Sequence, residues 1–507
     1  MKKILLFFVC VFCVNTFYAK VKLPRVFTDN AVLQREKPIA VWGWANSGEV
    51  ITIEFAQNTY RALADESGKW RTEMLPQQAG GPFELKIKGE ENEITLRNIL
   101  IGDVWICSGQ SNMKTRVNRI NARDEELVTD ANRMIRLFQP KELFSIDLKD
   151  DYNYAEKWKE ANLENIKDFS ATAYFFAKNL QPEIGVPIGL IQVSVGGSNI
   201  EAWIPEEDIC QIPQQAEKFR KAVEKGLKVL KAENDERFRK WRENGSKPAE
   251  KPYQLTGNDI PSSLYNSQIN PLLNLHPTGI LWYQGESNSG KGLQYRNTFA
   301  MLINAWRRDF NDKTLPFIYV QLANYRAPCN APCESTWAEL REAQALTLEL
   351  PETGMATAVD IGEANDIHPK NKQELGRRLA LVARQVVYNQ ELLASGPVLK
   401  DATKKSGGIL LTFNHVGNGL ITRDNKDPEE FTIAAKNGDF VRAKARIEGE
   451  NQIFVWSDEI KKPEYVRYAW ADNPSLVNTY NSEKLPMLPF RTDNRNINRE
   501  EEKMKKN

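Results

Sequence analysis

A serine acts as a nucleophile when a base can take its proton and a set of N–H donors can hold the charge that develops on the attacked carbonyl. Ser111, in the run Ser108-Gly109-Gln110-Ser111-Asn112-Met113, follows an apolar strand-like stretch and opens a turn. A strand-to-helix turn presents the hydroxyl at a sheet edge, and the backbone N–H of Ser111 itself can serve an oxyanion. On local grounds alone Ser111 reads more readily as a helix N-cap than as a nucleophile, and its place at a strand end reverses that. The chain has three histidines, His276, His368 and His415. His276 precedes Pro277 ahead of a strand, and His415 lies in a C-terminal β pattern. His368 follows a strand and has Asp366 two residues upstream, where a turn brings a carboxylate to the imidazole. Ser111 as nucleophile, His368 as general base and Asp366 as its orienting acid is the arrangement of covalent acyl transfer.

Two further runs offer supporting groups. Val195-Gly196-Gly197-Ser198-Asn199 leads to Glu201 and Trp203. The paired glycines either turn an N–H toward a ligand or form a plain tight turn. Trp282-Tyr283-Gln284-Gly285-Glu286-Ser287-Asn288 carries amide donors in Gln284 and Asn288. Its aromatics read as core or as a sugar platform. Glu286 has the chemistry of a general acid, yet no second carboxylate at a neighbouring strand end completes a glycosidase pair. There is no zinc-ligand run or haem attachment run, and with three histidines in the chain a His-rich metal centre is not expected.

The elements that position these groups are legible from periodicity. Short apolar runs at Ile101–Cys107, Ile188–Val195, Gly279–Gln284, Pro316–Leu322 and Met355–Ile361 alternate with helix-period stretches at Ser170–Leu180, Tyr295–Phe310 and Lys372–Leu393. This pattern predicts an α/β doubly wound parallel sheet of about five strands. Ligands bind such sheets at the carboxyl ends of the strands, and four of the five predicted ends carry the residues above. Before the sheet, residues 20–97 alternate with period 2 and predict a β-sandwich-like domain. The α/β domain is expected over 98–395, interrupted at about 214–252 by a Lys-, Arg- and Glu-rich helical insertion read as a solvated amphipathic hairpin. Strand-like runs return over 396–493, and the polar tail 494–507 is expected to be disordered.

Lys2 and Lys3, the apolar run Ile4–Val14 and the small Ala19 predict a cleaved export signal over 1–19, hence a periplasmic or extracellular protein. The run is too short to span a bilayer, so no stable membrane insertion is expected. Lys and Arg total 68 against 67 Asp and Glu, a net charge of +1 that gives no reason to expect nucleic acid as partner. Oligomeric state does not follow from the sequence. Cys329 and Cys333 are spaced to pair in an oxidising compartment.

The runs Gly102–Met113, Gly196–Trp203, Trp282–Asn288 and Asn365–Lys372, with Gly376-Arg377-Arg378-Leu379-Ala380, Tyr468–Pro474 and Pro489–Asp493, resemble those of sialate O-acetylesterases of the SGNH hydrolase superfamily. The resemblance implies an SGNH-type domain flanked by β-rich domains and cofactor-free hydrolysis of O-acetyl esters on sialic acids. It implies Ser111, His368 and Asp366 as catalytic residues. The oxyanion hole would be formed by the Ser111 N–H, Gly196 or Gly197, and Gln284. Asn112, Trp203, Glu286 and Asn288 are expected to line the substrate site. The chain departs from the superfamily's pattern in three blocks: Gln110 occupies the place of the usual acid before the serine, the usual Asn-Asp pair is not recognisable in Gln284-Gly285-Glu286-Ser287, and a single residue, Ile367, separates Asp366 from His368; the first two bear on the third oxyanion donor. Acetylxylan or another acetylated glycan is the alternative substrate, and a non-catalytic glycan-binding protein is the alternative outside enzymes.

Overall fold

One strand organises the molecule. β1 (Glu93–Gly109) is 17 residues long. Its first half pairs antiparallel with Gly80–Lys88, and Leu100–Gly102 pairs parallel with Val32–Gln34. Its second half is the centre of the α/β sheet. The expected boundary between residues 97 and 98 therefore lies inside a continuous strand. Side chains from residues 21–100 and from the α/β unit share one hydrophobic cluster, in which Trp158 donates its indole N–H to Val26 O at 2.8 Å. The computed structural model describes residues 20–127, 129–243 and 257–494. The signal assigned to 1–19, residues 244–252 of the insertion and the tail from 495 on lie outside the described residues.

The remaining strands of the sheet are β2 (Ile135–Phe138), β3 (Ile188–Ser194), β4 (Gly279–Tyr283), β5 (Phe317–Gln321) and β6 (Thr353–Thr357). They lie in the order β6-β5-β4-β1-β3-β2, all parallel, with the short strand Lys159–Glu160 antiparallel on the β2 edge. The sheet is thus mixed and holds six parallel strands where about five were expected. The additional strand, β2, is four residues with Arg136 in its middle and carries no period-2 signal. From β1 the chain winds to one side through β2 and β3, then returns to wind through β4, β5 and β6. The reversal leaves a crevice beside β1, where doubly wound sheets bind ligands. Gly109 is in register with Ser194 on one side and Tyr283 on the other, so three sequence blocks leave the sheet at one level.

Helices α1 (Ser111–Lys114), α2 (Ala171–Ile184), α3 (Gly292–Asp309), α4 (Thr336–Leu346) and α5 (Lys372–Val386) surround this sheet. α5 crosses α2 so closely at Gly376 that a Cβ there would lie 2.5 Å from the backbone of Phe175. That crossing brings the start of α5 back to the end of β1. The insertion begins with two consecutive helices, Pro213–Lys225 and Leu227–Glu243, laced by exposed ion pairs such as Arg239 with Glu236 and Glu243. The C-terminal strands build a separate core around Leu411, Ile433, Ile453 and Val466. Among the described residues no helix is long and apolar enough to cross a membrane.

Candidate active site

The turn after β1 is shaped by steric exclusion. Gly109 has φ +131, and a Cβ on it would lie 2.1 Å from Tyr283 O. The next amide, Gln110 N, donates to the same carbonyl at 2.9 Å. Any side chain at 109 would displace β4, so a glycine is required for the chain to leave the sheet this steeply. Ser111 then opens α1. Its partly exposed side chain follows a buried Gln110 and precedes the buried Asn112 and Met113. The turn is tied to α2 by Ser170 Oγ, which donates to Met113 O at 2.6 Å, and by Thr172 Oγ1, which donates to Asn112 O at 3.1 Å.

The glycine turn after β3 meets the serine. A Cβ built on Gly196 would lie 3.7 Å from Ser111 Cβ. Asn258 Nδ2 donates to Gly196 O at 2.9 Å and fixes the plane of the Gly196–Gly197 peptide. Because carbonyl and N–H point oppositely in a trans peptide, the Gly197 N–H faces away from Asn258. Gly197 has φ +72, a left-handed conformation that suits glycine.

Gln284 does not fill the place expected of it. It is buried, and its amide donates to Ser198 O at 3.1 Å and to Asn288 Oδ1 at 2.7 Å, which spends both hydrogens. Asn288 in turn accepts from Ile200 N and donates to Glu201 Oε2 at 2.9 Å. These residues bind the glycine turn to the end of β4. Trp203 is also internal: its indole N–H donates to Ser198 Oγ at 2.9 Å, and its ring meets Trp282 edge-on. Trp282 and Tyr283 are buried in the core, with no face open to a sugar.

A free side-chain donor stands one residue before Ser111. Gln110 Oε1 accepts from the backbone N–H groups of Gly285 and Ser287, both at 3.3 Å. The amide is therefore oriented, and among the described residues its Nε2 donates to no protein group.

The loop after β6 reaches this turn. Asn112 Nδ2 donates to Ile367 O at 3.0 Å, joining the residue after Ser111 to the residue before His368. Asp366 Oδ1 accepts the His368 backbone N–H at 2.9 Å and lies 3.4 Å from His368 Nδ1. The single intervening residue is thus no obstacle to their pairing. Both side chains are about 40% exposed, accessible to a substrate. His276, by contrast, lies near Glu73, and His415 supports a C-terminal turn through its carbonyl, which accepts from Asn481.

Asn112 and Glu286, expected against the substrate, are buried beneath the serine instead. Asn112 Nδ2 donates to Glu286 Oε1 at 2.5 Å, and Asn112 Oδ1 accepts from Lys372 Nζ at 2.7 Å. Lys372 is wholly buried and lies over the Tyr283 ring at 5.0 Å. Burial raises the Glu286 carboxyl above its usual range and lowers the Lys372 ammonium to about 7. The sequence marks Gln110 as a departure from the superfamily's pattern but not as a donor, and it gives Lys372 no role. Lys372 looks like an ordinary first-turn helix residue, but in the fold its ammonium lies against Asn112 and over the Tyr283 ring, on elements distant in sequence. Cys329 and Cys333 form a disulfide. Among the described residues no group of three His, Cys, Asp or Glu side chains could hold a metal ion.

Comparison with known proteins bears on this geometry. Residues 101–385 match the family model described as carbohydrate esterase, sialic acid-specific acetylesterase. A mouse sialate O-acetylesterase is 29% identical over 514 residues, with 92% of this chain and 93% of the relative covered. The human sialate O-acetylesterase is 30% identical over 409 residues, covering 73% and 72% respectively. A crystal structure of a carbohydrate acetylesterase from Xanthomonas citri superposes with a TM-score of 0.81 at 35% identity, over 94% of this chain and all of that one. The matched region runs from β1 through the histidine loop and into α5, and on these matches the chain belongs to the carbohydrate esterase family of sialic acid-specific acetylesterases.

Proposed function

We propose that this chain is a serine O-acetylesterase that removes acetyl groups from O-acetylated sialic acids, with an SGNH-type α/β domain as its catalytic unit. Ser111 Oγ attacks the acetyl carbonyl while His368 takes its proton, and Asp366 orients the imidazole and stabilises its protonated form. The tetrahedral oxyanion is held by the Ser111 N–H, an N–H of the Gly196–Gly197 turn and, in place of Gln284, the Gln110 amide. Collapse of the intermediate returns the proton from His368 to the departing sugar oxygen. Water, deprotonated by His368, then cleaves the acetyl-enzyme and frees acetate.

The observation that carries this reading is the Asn112–Ile367 hydrogen bond, which joins the serine turn to the histidine loop. Wild type, Ser111→Ala and His368→Ala are to be assayed on p-nitrophenyl acetate, O-acetylated sialoglycan and acetylated xylan. Turnover on sialoglycan should fall at least about 10³-fold in both variants. Full activity in Ser111→Ala overturns the nucleophile, and wild-type activity confined to xylan overturns the substrate.

The Cys329–Cys333 bond supports export to an oxidising compartment, as expected from residues 1–19. N-terminal sequencing of the mature protein tests this directly; a start near Lys20 is expected, and an intact Met1 on protein retained in the cytoplasm overturns it.

A further inference from the structure

We infer that Lys372 is a positioning residue of this esterase: with Glu286 it grips the two ends of the Asn112 amide and so holds the serine turn against the histidine loop. The inference rests on the catalytic assignment of Ser111 and His368.

A primary amide has one acceptor end and one donor end, and at Asn112 both are taken by buried charged groups. Lys372 Nζ lies 2.7 Å from Oδ1, and Glu286 Oε1 accepts from Nδ2 at 2.5 Å. The second Nδ2 hydrogen goes to Ile367 O at 3.0 Å. A neutral side chain thereby bridges a lysine and a glutamate that belong to different elements, the start of α5 and the end of β4. The amide cannot rotate by 180° without setting its N–H groups against the ammonium and its oxygen against the carboxylate. That restriction aims Nδ2 at Ile367 O and fixes the residue that precedes His368.

Lys372 is wholly buried and cannot touch a substrate. The charged groups around it are Glu286, Asp366 and Glu363, and the Tyr283 ring closes its remaining side. Glu286 Oε2 is sealed from solvent and accepts no hydrogen bond among the described residues. A cation beside a half-satisfied carboxylate is a poor stabilising device, because desolvation offsets most of the attraction. Its value lies in geometry. A misplacement of the order of 1 Å between nucleophile and base costs about 100-fold in rate.

The test uses the full-length protein and three variants: Lys372→Met, Glu286→Gln and the double variant. Met keeps the length of the lysine stem but cannot donate to Asn112. Lys372→Met should lower kcat by about 10- to 100-fold with KM within about twofold, since binding groups are untouched. It also leaves Glu286 without a cation, so adding Glu286→Gln should recover at least about fivefold in kcat, a rescue that simple loss of packing would not produce. Should Lys372→Met fail to fold, the charge-neutral double variant carries the comparison with Glu286→Gln alone, and equal kcat in those two overturns the inference. A folded Lys372→Met with wild-type kcat also overturns it. Ser111→Ala run in parallel separates the two ideas. If Ser111→Ala is inactive while Lys372→Met is unimpaired, only the positioning role fails; if Ser111→Ala is active, the catalytic assignment itself falls.

Discussion

The serine turn and the histidine loop meet at the Asn112–Ile367 hydrogen bond, yet they are held by different physics. The serine turn is fixed by backbone exclusion inside the sheet: Gly109 lies so close to Tyr283 O that no side chain fits, and Gln110 N bonds the same carbonyl. The histidine loop is fixed by groups reaching in from elsewhere. Asp472 and Asn473, in the C-terminal β region, bind the loop after β5: Tyr325 N donates to Asp472 O at 3.1 Å, and Asn324 Nδ2 donates to Asn473 Oδ1 at 2.8 Å. Asn324 Oδ1 then accepts from Gly362 N at 2.6 Å, at the start of the histidine loop. Ser111 is thus placed by the α/β sheet, whereas the placement of the loop that carries His368 also depends on the C-terminal strands. On the proposed mechanism, that dependence gives the C-terminal region a part in positioning the base.

The contrast predicts unequal responses to small substitutions. Gly109→Ala should be the most damaging, because a Cβ would sit 2.1 Å from a backbone carbonyl at φ +131. We expect at least about 3 kcal/mol of destabilisation and loss of activity, read by thermal unfolding and p-nitrophenyl acetate hydrolysis. A stable, active Gly109→Ala would show that the turn is not sterically locked. Asp366→Asn ranks next. It keeps an acceptor for the His368 backbone N–H but removes the charge near Nδ1, so kcat should fall by about 10²- to 10³-fold with folding intact. A loss below about threefold would leave Ser111 and His368 as a dyad.

Asn473→Ala probes the long-range half of the comparison. It removes both the bond to Asn324 and the one to Arg326 O, more than the distance from the reacting atoms would suggest matters. We expect about a 10-fold fall in kcat with little change in KM, since only the histidine loop loosens. An unchanged kcat, with the C-terminal region still docked, would mean that the β6 loop holds itself.

These two halves also differed in what the sequence revealed. That Ser111, His368 and Asp366 lie together was legible because strand endings and chain order single them out, and the five strands that carry or neighbour them have strong apolar runs. β2 was not, since four residues flanked by irregular chain have no period to detect. The oxyanion and substrate residues were read less well. Gln284, Asn288, Trp203, Asn112 and Glu286 have suitable chemistry at suitable strand ends, but a residue type does not disclose whether its hydrogen bonds are already spent within the protein. Lys372 shows the converse: it is buried against Asn112 and the Tyr283 ring, tertiary contacts with no local signature.

The smallest expected effect lies where the two halves join. Burial lowers Lys372 from 10.5, its value in the unfolded chain, to about 7 in the fold. Between those two pH values the unfolded chain holds a proton at this position that the folded chain has given up, so stability from this group rises with pH across that window. It is present in full above the unfolded value and is lost as pH falls toward 7. Lys372→Met abolishes the term. Against the variant, wild type should therefore gain about 1 to 2 kcal/mol between pH 7 and pH 9, a shift of a few degrees in Tm. Each protein is compared with itself at the two pH values, so groups that titrate alike in both cancel. Parallel Tm profiles would mean that Lys372 keeps its proton throughout, and that the junction beneath Ser111 holds a true ion pair with Glu286 instead of a lysine poised to become neutral.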